Sequence, residues 1–437
     1  MKRKIIHDLQ AWKARKDHKP LILQGVRQVG KTWLMKEFGL TCYANMVYIN
    51  FDNNPVMEEL FARDLQITRI IAGLELYSGQ KIRAGETLLI FDEVQEVPRA
   101  LSSLKYFNED FGEYDIIAAG SLMGIALHPG TSFPVGKVEF LRLYPLSFAE
   151  FAAALGEDGI LEPLEKNDFE VAKVFSGQYT DLLKAYYLVG GMPEAVKTFA
   201  AQRDYAAARE VQRRILDAYD QDYSKHAPPV HIPKIRKLWN SLPAQLSREN
   251  KKFMYGIVKQ GGRAAEYELA LLWLSDCGLV HQVHRISAPR MPLKAYMDMQ
   301  AFKLFCVDLG LLSCMAGLTP EIILEGTRVF REFKGALTEQ FALQEISARG
   351  DLDVYYWSSD RGIAEIDFIL GGKHGALPGS YIPVEVKAEL NLQAKSLKSF
   401  RKQFSPPLSL RLSLGDYRQS GGLIDLPLYA IGFWRIR

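Results

Sequence analysis

PLILQGVRQVGKTWLMKEF, residues 20 to 38, decides the fold of the first third of this chain. Pro20 to Gln24 is a short apolar run bounded by a proline and a glycine, which reads as a buried parallel strand. After Lys31 and Thr32 the spacing turns helical, with Leu34, Met35 and Phe38 apolar. Gly25, Val26, Arg27, Gln28, Val29, Gly30, Lys31 and Thr32 therefore join a strand to a helix N-terminus, with Trp33 completing the nucleotide-binding stretch. The two glycines let the backbone curl so that successive N–H groups face phosphate oxygens. Lys31 is placed to reach the β- and γ-phosphates, and the Thr32 hydroxyl to ligate magnesium. ATP with Mg2+ is the expected ligand.

The second half of such a site lies at Leu88-Leu-Ile-Phe-Asp92-Glu93, a buried strand ending in two carboxylates. Alternation sends the two side chains in different directions, so Asp92 is expected to hold the magnesium through its water shell and Glu93 to polarise the attacking water. A further strand, Asp115 to Ala119, leads into Gly120-Ser121, where Ser121 is either a γ-phosphate sensor or an N-cap for the next segment of chain. Met46 to Phe51 adds a strand and Leu60 to Leu76 one amphipathic helix, giving an α/β sandwich. No arginine finger is singled out among Arg27, Lys137, Arg142, Arg213 and Arg214.

Through GVRQVGKT, LLIFDEVQ, AAGSLMGIAL, SFPVGKVEFLRLYPLSFAEF and YLVGGMPEAV, the sequence resembles the AAA-type ATPases of bacteria and archaea that carry a C-terminal domain of unknown function. The resemblance covers nearly the whole chain. It implies ATP hydrolysis and a multidomain particle, and it allows a homo-oligomer.

Composition sets outer bounds. At 437 residues the chain suits two or three domains, and 48% hydrophobic with 24% charged residues matches a globular protein. Fifty-four basic against 51 acidic residues leave +3, too balanced to argue for nucleic acid from bulk charge. Cys42, Cys277, Cys306 and Cys314 lack zinc-site spacing. The basic N-terminus has Ile5, Ile6, Leu9 and Trp12 at helical spacing and no signal-peptide core, and no run is long enough to span a membrane, so a cytoplasmic location is expected.

The expected division is an ATPase core at 1–150, a helical lid at 151–228, a winged-helix-like domain at 229–330 and a restriction-endonuclease-like α/β domain at 331–437. Gly190-Gly191-Met192-Pro193 reads as a helix end, a turn and a new helix. In the middle domain Glu266 to Asp276 is acidic and apolar, which favours protein packing over DNA reading, and Lys259, Arg263 and Lys294 are its evident basic neighbours. Further on, alternation turns Asp367 away from Ile366, Phe368 and Leu370, and puts Glu385 and Lys387 on one strand face. With Glu339 on the preceding helix, this D…E-x-K pattern resembles the restriction-endonuclease-like nucleases. By that resemblance Asp367 and Glu385 bind magnesium, Glu339 supports the metal, and Lys387 orients or deprotonates the attacking water. Lys395, Lys398, Arg401 and Lys402 form a basic helix that can meet DNA phosphates. Two functions are compatible with these features: an ATPase coupled to a nuclease-like DNA-binding or DNA-processing domain, or an ATP-dependent switch that recruits proteins through a silent nuclease-like domain.

Overall fold

The computed structural model describes residues 1–120, 134–248, 251–326, 328–359, 364–373, 377, 379–388 and 395–435. They form two compact units: Lys2–Tyr144 with Asp276–Gly278, and Met1 with Pro145–Ser275 and Leu279–Arg437. Among the described residues, no helix is long and apolar enough to cross a membrane.

In the first unit five parallel strands form one sheet. They are β1 (Leu21–Gln24), β2 (Asn45–Asn50), β3 (Thr87–Asp92), β4 (Asp115–Ala119) and β5 (Glu139–Arg142), in the order β2-β3-β4-β1-β5. Both central strands β3 and β4 are buried along their whole length, as their unbroken apolar runs require of a sheet covered on both faces. Helices α1 (Ile6–Ala14), α2 (Lys31–Cys42), α3 (Pro55–Arg63), α4 (Ile67–Ser78) and α5 (Pro98–Asp110) complete the layers. Phe51, Phe61, Phe91 and Phe107 meet edge to face in the core.

The single helix expected from Leu60 to Leu76 is in fact two, α3 and α4, because Asp64 takes an extended conformation. Arg69 holds the break open: its guanidinium donates to the Asp64 carboxylate and to the carbonyls of Leu60 and Asp64, which the helix end leaves unpaired.

The second unit contains the helices Phe148–Ala154, Ser176–Val189, Pro193–Gln202, Tyr205–His226, Ile232–Leu246, Ala264–Asp276, Arg328–Ala348 and Lys395–Phe404, with shorter ones between them. Its strands are β6 (Val280–Ile286), β7 (Met297–Cys306), β8 (Leu352–Ser358), β9 (Glu365–Gly372), β10 (Tyr381–Val386), β11 (Ser409–Ser413), β12 (Arg418–Ser420) and β13 (Leu423–Pro427). They form one sheet in the order β12-β13-β11-β10-β9-β8-β6-β7. The β6–β7 hairpin thus joins the C-terminal strands through a parallel β6–β8 pairing, His284 beside Tyr355. On one face Leu397 and Phe400 of the Lys395–Phe404 helix pack with Trp357 and Tyr381.

The glycine pair is a turn, as its sequence indicates. The Ser176–Val189 helix ends at Gly190, which has φ 68°, and Pro193 opens the next helix. A Cβ on Gly191 would stand 2.2 Å from the Leu146 carbonyl oxygen, so only glycine fits that backbone approach.

Candidate nucleotide site and a carboxylate–lysine cluster

The phosphate-loop residues sit between β1 and α2. Gln28 and Gly30 take left-handed conformations, φ 64° and 96°, on either side of Val29. Such alternation turns consecutive amides toward one point, the concavity that binds anions. The loop is pinned from behind. A Cβ on Gly25 would lie 2.6 Å from the Leu143 carbonyl oxygen, and the buried Arg3 guanidinium donates to the carbonyls of Tyr144 at 2.6 Å and Val29 at 3.4 Å. Lys31 folds over the loop and donates to the Gly25 and Val26 carbonyls at 2.8 and 3.1 Å. Arg27 is exposed, and so is Trp33.

Across from the loop, Asp92 ends β3, buried. Its Oδ2 accepts from the Thr32 hydroxyl at 2.6 Å and from the Tyr48 hydroxyl at 3.0 Å. A hydroxyl and a carboxylate one hydrogen bond apart are the hard oxygen donors that magnesium prefers, so this pair fits the ion. Burial and the Asp92 charge push the Tyr48 phenol well above its ordinary value, which keeps it a donor. Glu93 is left-handed at φ 52°; its amide donates to Asp92 Oδ1 at 3.1 Å, and its Oε2 accepts from Gln95 Nε2 at 2.7 Å. Ser121 lies outside the described residues. Of the cationic candidates, Lys137 is paired with Glu109 at 2.8 Å, Arg214 with Glu194 at 3.5 Å, and Arg142 stacks on Tyr144 at 5.2 Å, while Arg213 is exposed.

Residues 17–152 match the family model described as an AAA domain. The N-terminal part of this chain is an AAA-type ATPase core. Two further models match beyond it, each described as a domain of unknown function, DUF8612 at residues 180–322 and DUF4143 at 334–430. No curated protein shows significant similarity to the sequence. Among solved structures, a Walker-type ATPase of Pyrococcus abyssi is 12% identical, with 72% of this chain and 95% of that chain covered, at a TM-score of 0.43. Cdc6p from Pyrobaculum aerophilum is 14% identical, with 75% and 96% covered, at 0.30. The Aeropyrum pernix Orc1 protein, in complex with DNA, is 12% identical, with 72% and 91% covered, at 0.26.

The residues of the D…E-x-K pattern do come together in the second unit. Glu339 projects from the Arg328–Ala348 helix, Asp367 from β9 and Glu385 from β10; Asp367 Oδ2 accepts from the Val386 amide at 2.7 Å, and Lys387 Nζ lies 2.6 Å from Glu385 Oε1. Lys251, Lys303 and Glu365, which the D…E-x-K pattern does not include, share the cluster. Lys251 donates to Glu339 Oε1. Lys303 of β7, fully buried, places its Nζ 2.5 Å from Glu365 Oε1, 3.8 Å from Glu339 Oε2 and 4.0 Å from Asp367 Oδ1. The contact with Glu365 is a close ion pair.

These neighbours set the charges. Burial works against the Glu339 carboxylate, yet Lys251 and Lys303 hold it below its ordinary range. Asp367 is pushed well above its range by burial and by the charges of Glu339 and Glu385, and Glu385 is raised by burial with Lys387 opposing. Lys303 resists burial because Glu339, Glu365 and Asp367 surround it, and it stays protonated.

Two signs conflict on metal binding. Glu339 Oε2 and Glu385 Oε2 are buried without a hydrogen-bond partner, which favours a cation beside them. Against this, the Lys303 ammonium already stands within 4.0 Å of both Glu339 and Asp367, and an amide takes the second Asp367 oxygen. The lysine takes the place of a metal, and among the described residues no group of three or more His, Cys, Asp or Glu side chains is arranged to hold one. As it stands, this cluster does not fit a divalent ion.

Proposed function

We propose that the chain hydrolyses ATP with Mg2+ at the N-terminal loop and uses the nucleotide state to engage DNA through its C-terminal region. The observation that carries the first half is the Thr32–Asp92 hydrogen bond, which ties the loop helix to the carboxylate strand. In this reading the loop amides and Lys31 bind the phosphates, Thr32 and Asp92 would hold magnesium, and Glu93 takes the proton of the attacking water. Magnesium supplies charge compensation on the phosphates.

The second half rests on a helix-strand-strand-strand-helix-strand order from Arg328 to Ser413, which supports a restriction-endonuclease-like fold, and on three exposed lysines, Lys395, Lys398 and Lys402. Arg401 is committed elsewhere, to the Gly421 carbonyl. The Ile232–Leu246 and Ala264–Asp276 helices followed by the β6–β7 hairpin support a winged-helix-like reading. A competing function, an ATP-dependent switch with a silent nuclease-like domain, is favoured by the lysine-filled cluster. The Ala264–Asp276 helix agrees with it, exposing Leu269 and Leu272 rather than basic residues.

Lys31→Ala is expected to weaken ATP affinity by about 10- to 100-fold, the loss of a charge-assisted contact; nucleotide titration followed by fluorescence reads it, and unchanged affinity would sink the loop assignment. A Lys398→Ala/Lys402→Ala variant is expected to bind duplex DNA more weakly at all sequences, with the salt slope reduced by about 1 to 2. A slope equal to that of wild type removes this helix from the DNA surface.

A further inference from the structure

We infer that Lys303 is a built-in counter-cation that closes the C-terminal carboxylate cluster to divalent metal, so that the cluster takes a metal ion only when this lysine is withdrawn. The inference builds on the nuclease-like reading of that region and sharpens its metal chemistry.

Lys303 sits in an apolar run, Ala301 to Val307, whose every residue is buried. A buried ammonium survives only with partners, and its partners are Glu339, Glu365 and Asp367. Two of the three carboxylates of the D…E-x-K pattern therefore already face a positive charge. A divalent ion drawn to them would stand beside the ammonium and be repelled by it.

What the lysine leaves over is also informative. Glu365, Glu339, Asp367 and Glu385 are four acids against Lys251, Lys303 and Lys387. Removing Lys303 takes its charge away from Glu339 Oε2 and Asp367 Oδ1, while Glu339 Oε2 and Glu385 Oε2 already lack a hydrogen-bond partner. Glu339, Asp367 and Glu385 would then offer hard carboxylate oxygens without a facing ammonium, the donor type that magnesium and manganese prefer.

Withdrawal has a structural route. β7 is the last strand of the sheet, after β6. Its outer side meets the segment that carries Lys251, through the Lys252–Lys303 bridge and the Phe253 amide donating to the Phe302 carbonyl at 2.8 Å. Lys251 and Lys303 therefore belong to one edge layer, and a displacement of that layer removes both cations together.

The test is Mn2+ titration of the full chain without nucleotide, read by the electron paramagnetic resonance of free Mn2+. The proteins are wild type, Lys303→Met, the double variant Lys303→Met/Glu365→Gln, and each with Asp367→Asn added. The double variant removes both ends of the 2.5 Å pair and keeps the charge balance, so the test survives if Lys303→Met alone does not fold. The expected result is Mn2+ binding at least about tenfold tighter in the lysine variants than in wild type, lost again with Asp367→Asn. An Asp367-dependent Mn2+ site in wild type as tight as in the variants overturns the inference. So does the absence of any gain in a folded double variant. DNA cleavage is followed separately on the same proteins: a gain in Mn2+ binding without cleavage keeps the lysine inference and removes only nuclease activity.

Discussion

Replacing Glu93 by Gln is expected to slow ATP turnover by about 10²- to 10⁴-fold, the range for loss of a general base, while nucleotide affinity changes little. Glu93 follows Asp92 on the strand end but turns away from it in a left-handed conformation. Asp92 is committed to Thr32 and Tyr48, whereas one Glu93 oxygen is held by Gln95 and the other has no such commitment to the magnesium donors. A glutamine keeps the size and can still accept a hydrogen bond from water, but it cannot take the proton. Gln95→Ala tests the positioning: with its amide gone, the Glu93 carboxylate loses its fixed direction, and turnover is expected to fall by about tenfold with KM little changed. Phosphate release under steady state, paired with equilibrium nucleotide binding, reads both. Full turnover in Glu93→Gln would move the base elsewhere.

The phosphate loop and the Asp92–Glu93 pair were legible because each is contiguous and flanked by apolar runs that fix its element. Their supports were not. Tyr48 reaches Asp92 from the neighbouring strand, Gln95 turns back on Glu93, and Arg3 clamps Val29 from 26 residues away, and none of these pairings leaves a trace in local spacing. Lys303 did leave one. A lysine inside the apolar run Ala301 to Val307 must be buried with a counter-charge, a stronger local signal than that of Lys259, Arg263 or Lys294, all of which are exposed. The union of the β6–β7 hairpin with the C-terminal strands was hidden for another reason: His284 pairs with Tyr355, and single-sequence periodicity carries no information about which distant strands meet. The α3–α4 break depends on Arg69, whose bonds to the Asp64 carboxylate and to the Leu60 and Asp64 carbonyls compete with helix propensity over the same residues.

Replacing Asp308 by Ala is expected to destabilise the second unit by on the order of 3 kcal/mol. Its carboxylate is fully buried and accepts from the Gly191 amide at 2.7 Å and the Leu311 amide at 2.9 Å, joining the glycine turn to the start of the Leu309–Met315 helix. Alanine leaves both donors buried without an acceptor, at about 1 to 3 kcal/mol each. Relief of the carboxylate's own desolvation offsets part of that. The same desolvation gives the site a pH signature, because burial pushes Asp308 up to about 6 from 3.8, even though backbone amides bind it. The folded chain therefore holds this proton more tightly than the unfolded chain. The group's contribution to stability is greatest below about pH 4 and is lost as pH rises toward 6, by on the order of 3 kcal/mol. Asp308→Asn removes the titration and keeps one acceptor. In urea unfolding followed by tryptophan fluorescence, the stability of wild type relative to Asp308→Asn should fall from pH 4 to pH 6 and stay constant above pH 7. A difference that does not change with pH would mean that Asp308 is ionised throughout, with its amide hydrogen bonds outweighing burial.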